Sequence, residues 1–94
     1  MTDKNTSWKI AQITESLNSL LQYKNLNYGD AALNPINIFS KQDATSSITT
    51  RIDDKIMRIK NSSELRKNDI CDTLGYLVLL CAANDWISFE EFKD

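Results

Sequence analysis

Two aspartates three residues apart, Asp69 and Asp72, open a segment that is almost wholly apolar after Gly75. Carboxylates at i and i+3 of a helix fall on one face. At about 100° per residue, Asp69, Asp72 and Tyr76 lie within about 60° of one another. A hard cation such as Mg²⁺ takes oxygen ligands, keeps several waters and often uses only one or two carboxylates. The same acids have a plainer use, because negative charge in a first turn complements the helix dipole and its free N–H groups. That plainer use fits Asp69 better than Asp72, which sits deeper in the helix, where aspartate is a poor helix former.

A second set of chemistry-bearing groups lies in Arg51-Ile52-Asp53-Asp54-Lys55 and Arg58. On a helix, Ile48, Ile52, Ile56 and Ile59 make one stripe. Lys55, Arg51 and Arg58 lie beside that stripe, in that order moving away, with Asp54 beyond them and Asp53 on the opposite flank. A regular helix therefore cannot aim Asp53 and Asp54 into one site. The cationic edge suits phosphates or carboxylates. It equally suits a solvated face with ion pairs between Asp54 and Arg51 or Arg58. Met57 faces away from the isoleucines and is a candidate subunit contact.

The elements that must position these groups are helical. Few Gly and Pro and many helix formers predict an all-α fold, and 94 residues predict one domain over 1–94. Residues 1–6 read as a flexible polar tail. Thr6 or Ser7 is expected to cap a first helix reaching about Lys24, with Ile10, Ile13, Leu17, Leu20 and Leu21 on its core face and Trp8 closing one end. Residues 25–42 read as a long ordered loop rich in turn formers, pinned by its apolar groups or offering its polar groups for binding. Asp43, Thr45 or Ser46 starts a second helix to about Lys60. A third, central helix begins between Glu64 and Asn68 and ends near Asn84. Ser88 and Glu91 have capping-box spacing, so 89–93 is expected to form a short helical turn, with Trp86, Ile87, Phe89 and Phe92 closing the core. The result is a small bundle of three main helices. A domain this small gains burial by oligomerising, so a homo-oligomer is expected.

Several function classes drop out. No histidine occurs, which removes Ser-His and Cys-His pairs and His-ligated zinc. Cys71 and Cys81 stand roughly 15 Å apart on one helix, too far to bridge, and read as small buried hydrophobes of a reducing compartment. A net charge of −2 gives no support for nucleic-acid binding. The longest apolar run, Leu77 to Ala83, is too short to span a bilayer, and the N-terminus lacks a signal-peptide core. A cytoplasmic protein is the expectation.

The segments Tyr28-Gly29-Asp30, Asn34-Pro35, Ile38-Phe39-Ser40-Lys41, Arg51-Ile52-Asp53-Asp54-Lys55, Arg58-Ile59 and Asp72-Thr73-Leu74-Gly75-Tyr76-Leu77 occur in succession. Together they resemble small bacteriophage and prophage proteins described as nucleotide-modification-associated or MazG-like. The resemblance implies an all-α bundle, commonly dimeric or tetrameric. It also implies Mg²⁺-dependent hydrolysis of nucleoside triphosphates to monophosphate and pyrophosphate, using Glu-x-x-Glu on one helix and Glu-x-x-Asp on the next. Asp69-x-x-Asp72 matches the second motif with Asp in place of Glu. In the first motif, Thr50 and Arg51 stand where the leading acid would be.

Carried over, the resemblance makes Asp54, Asp69 and Asp72 the metal-holding, catalytic acids. Lys41, Arg51, Lys55 and Arg58 would face phosphates. Tyr28, Asn34 and Phe39 would contact base or sugar, with Tyr76 beside them. The implied function is nucleotide binding with Mg²⁺, with or without turnover. The alternative is a non-catalytic accessory protein that binds a host protein or sequesters a nucleotide signal.

Overall fold

The computed structural model of the chain describes residues 4–28, 31–33 and 43–94. The described residues form three α-helices, α1 (Thr6–Tyr28), α2 (Ala44–Asn61) and α3 (Lys67–Ala83), followed by a single 3-10 turn at Glu90–Phe92. The all-helical class follows from the composition, and none of these helices is long and apolar enough to cross a membrane.

Asn5, rather than Thr6 or Ser7, caps α1. Its Oδ1 accepts from the backbone N–H of Trp8 at 2.9 Å, satisfying one of the free donors of the first turn. Lys4 lies 5.6 Å from the centroid of the Trp8 ring, within cation–π range. Residues 4 and 5, assigned by sequence to a flexible tail, are thus tied to the helix start. At its other end α1 runs through Asn25 and Asn27 to Tyr28, past the expected stop at Lys24. The Ala31 N–H then closes a turn on the Tyr28 carbonyl at 3.2 Å. Positions 29, 30 and 34–42 of the expected loop, with Asn34, Phe39 and Lys41, lie outside the described residues.

Asp43 caps α2 as its sequence position predicts, accepting the Ser46 N–H at 2.7 Å. These bonds hold the Asp43 carboxyl below its ordinary pKa, with the backbone donation from Ser46 the larger cause and the Ser46 side chain the lesser. The α3 start has no side-chain cap, and Asp69 stands in its first turn. The C-terminal end of α3 closes with a Schellman arrangement. Trp86 N–H reaches the Cys81 carbonyl at 2.9 Å and Asp85 N–H reaches Ala82 at 3.1 Å. Asp85 occupies the left-handed position at φ 57°, where glycine is usual.

The α3 helix is central, packing on α2 along the main seam and on α1 along a lesser one. Ile48 and Ile52 are the buried apolar side chains among the described residues. Ile56, expected in the same stripe, is exposed. Each four-residue step advances about 40° around a helix, so the stripe walks off the packed face at Ile56, and Ile59 brings it back to half burial. On α1, Leu17, Leu20 and Leu21 are half-buried while Ile10 and Ile13 stay exposed. With 23 residues against the 17 of α3, α1 is longer than its partner and its N-terminal half overhangs. Trp86, Ile87, Phe89 and Phe92 do not close the core. All four are exposed, Ile87 by 90%. The turn at Asp85 steers them off the bundle.

Candidate functional site

The α2–α3 seam decides the state of Asp72. The Lys55 Nζ donates to Asp72 Oδ2 at 2.9 Å, with the two side chains 17% and 32% exposed. Lys55 is the charged residue nearest the isoleucine stripe of α2, so packing Ile48 and Ile52 on α3 brings it first to the facing acid. Asp69 sits one turn earlier and is buried, at 3% exposure. Its carboxylate lies in the first turn of α3, where the dipole favours negative charge. The Asp69 backbone carbonyl accepts from Thr73 Oγ1 at 2.7 Å.

A groove of about 570 Å³ runs beside this ion pair, bounded by the C-terminal half of α1, the first half of α2 and the middle of α3. Tyr28, Arg51, Asp72 and Tyr76, all singled out from the sequence, line it. The floor is apolar, with Leu21 packed so close to Gly75 that a Cβ there would stand 3.1 Å from Leu21 Cδ2. This close approach is what the glycine permits. Lys24 also lines the groove and was not anticipated. Its signal was available: Lys24 and Tyr28 follow Leu20 and Leu21 at helical spacing, but only if α1 continues past Lys24.

Electrostatically the groove favours an anion. Lys55 compensates the charge of Asp72, whereas Arg51 and Lys24 carry no ion pair among the described residues. A guanidinium and an ammonium over an apolar floor match the chemistry of a phosphate or carboxylate group. The two tyrosines offer planar faces with a polar tip.

The remaining expected residues stand elsewhere. Asp54 and Arg58 are on the exposed surface of α2, outside the groove. Asn34, Phe39 and Lys41 lie outside the described residues. Among the described residues no group of three or more acids or cysteines comes together in a way that could hold a metal ion. Asp72 is engaged by Lys55 and Asp54 is exposed on α2, so Asp54, Asp69 and Asp72 do not gather into such a group. Cys71 and Cys81 are free and half-buried.

No protein-family model, curated protein or solved structure matches this chain.

Proposed function

We propose that the chain binds a nucleotide in the groove between α1, α2 and α3. The phosphates lie against Arg51 and Lys24, and the base lies against Tyr28 and Tyr76. What supports this reading is convergence. Four residues chosen for their chemistry, spread from position 28 to position 76, line one groove with a further lysine. The resemblance of Tyr28-Gly29-Asp30, Arg51-Ile52-Asp53-Asp54-Lys55 and Asp72-Thr73-Leu74-Gly75-Tyr76-Leu77 to phage nucleotide-associated proteins supports it too.

The reading is one of binding without metal-dependent turnover. A two-metal hydrolysis uses several carboxylates gathered around the ions, and Asp72 is paired with Lys55. The lysine leaves the groove with a positive balance, which suits capture of a polyphosphate.

Calorimetric titration with mono-, di- and triphosphates, with and without Mg²⁺, tests it. Saturable binding that strengthens with phosphate number and is lost in Arg51→Glu is the expected result. Heat from none of the nucleotides ends the reading. Pyrophosphate release that requires Mg²⁺ and Asp72 would replace binding with catalysis.

A further inference from the structure

Among the described residues, each helix that bounds the groove brings one charged side chain to it: Lys24 from α1, Arg51 from α2 and Asp72 from α3. The two cations answer to phosphate. The carboxylate does not, because an ionised aspartate accepts hydrogen bonds and donates none. A ligand that fills the groove therefore needs an anion for Lys24 and Arg51 and N–H donors for Asp72.

Lys55 does not remove that demand. Its Nζ bonds one carboxylate oxygen, Asp72 Oδ2, at 2.9 Å. Lys55 is not among the residues that line the groove, so it meets Asp72 from the α2 seam. Asp72 Oδ1 has no hydrogen-bond partner among the described residues, and the Asp72 side chain is 32% exposed. A carboxylate offers about four acceptor positions over its two oxygens, so the ion pair takes one and leaves about three. The lysine also orients the carboxylate, which suits it to a planar partner with two parallel donors.

Tyr76 follows Asp72 by one turn, about 6 Å along the axis, and both line the groove. The rest of the α3 wall is Cys71, Gly75 and Leu79, whose side chains hold no acceptor of comparable strength. The polar edge of a base lying against the Tyr76 ring thus has Asp72 as its acceptor on α3.

We infer that Asp72 reads the base and that the base it selects is guanine. The inference rests on the nucleotide reading above. Guanine carries two adjacent N–H donors on its pairing edge, at N1 and on the 2-amino group, and these match the two oxygens of one carboxylate. Adenine and cytosine set a ring-nitrogen acceptor beside their amino group. Uracil flanks its single N–H with two carbonyls. Each of these three turns an acceptor lone pair toward a carboxylate oxygen, which leaves the contact unpaired and repulsive. Lys24 and Arg51 give affinity for any nucleotide, and Asp72 gives the discrimination.

Calorimetric titration of the full chain with GTP, ITP, ATP, CTP and UTP at one salt concentration tests the inference without any variant. Inosine differs from guanosine by the missing 2-amino group alone. GTP should bind about 10-fold more tightly than ITP and on the order of 100-fold more tightly than the other three, as expected for one and for two hydrogen bonds to a charged acceptor. Asp72→Asn supplies a second arm, with circular dichroism to confirm its helix content. Asparagine offers one acceptor and one donor, and xanthine has a carbonyl where guanine has its amino group. The variant should bind XTP more tightly than GTP, a reversal that simple loss of structure does not produce. GTP bound no more tightly than ATP, CTP and UTP overturns the inference and leaves nucleotide binding standing. A GTP preference that persists unchanged in Asp72→Asn overturns it as well. Heat from no nucleotide ends the nucleotide reading, and guanine selection with it.

Discussion

The two seams of α3 differ in kind. Against α2 it buries Ile48 and Ile52 and closes an ion pair between Lys55 and Asp72. Against α1 it makes a close contact at Gly75 and Leu21 and otherwise leaves a groove. The first seam is filled by side chains on both sides, and the second stays open because α1 packs on α3 along a lesser contact. Stability therefore concentrates on the α2 side and ligand space on the α1 side. Small domains with little core separate these duties because a filled seam has no room for a ligand and an open one contributes little burial.

The sharpest way to break this contrast is to truncate one leucine or isoleucine on each side. Ile48→Ala should destabilise by about 3 kcal/mol, as for a fully buried aliphatic group. Leu21→Ala should cost less than about half of that, because Leu21 is half-exposed. Urea unfolding followed by circular dichroism measures both. Equal losses would erase the distinction between the seams.

A smaller effect tests what the ion pair adds to the filled seam. In a double-mutant cycle with Lys55→Met and Asp72→Asn, the coupling should be about 1 kcal/mol, between the values of exposed and fully buried pairs. Coupling near zero would assign that seam to its isoleucines alone.

Gly75→Ala probes the open seam. Alanine gains up to about 1 kcal/mol in helix propensity, while its Cβ meets Leu21 Cδ2 at 3.1 Å. The obstacle is the end of a flexible side chain, so it yields, and a net stabilisation of about 0.5 kcal/mol is expected. In a Leu21→Ala background the full propensity gain should appear. A large loss would mean that α1 is held more rigidly than an open seam allows.

The smallest effect concerns the entry to the filled seam. The Asp43 carboxyl has a lowered pKa in the folded chain because Ser46 donates to it. A group with a lowered folded pKa contributes stability that is present above the unfolded value of 3.8 and is lost as pH falls through the folded value. Asp43→Asn should keep the cap and flatten this part of the acid unfolding curve, as followed by helix content against pH.

Much of the filled seam was legible in the residues. The isoleucine spacing located the packed face of α2 and Asp43 was among the candidates for its start, whereas Lys55, assigned to phosphates, pairs with Asp72 instead. The open seam was harder to read. The polar run from Asn25 signals a turn, yet α1 continues through it, and that extension is what carries Tyr28 and Lys24 into the groove. Angular position placed Asp69 and Asp72 on one stripe correctly. It could not say that one would be buried and the other ion-paired, because that depends on what the neighbouring helix presents. The aromatic C-terminus was read as core because large apolar residues usually are. The turn that diverts it has an aspartate where glycine would have announced it.

That turn at Asp85 is closed by main-chain bonds, with the Asn84 side-chain amide donating to the Leu80 carbonyl beside them. The heading with which the last nine residues leave α3 is thus set mainly by the backbone of the turn. A peptide or reporter grafted after Trp86 would leave the helix along the same line, with the tail acting as a fixed mount whose cargo is exchangeable. Replacing Asp85 by glycine should hold that line at lower conformational cost, whereas proline there, unable to adopt a positive φ, should swing the mount away.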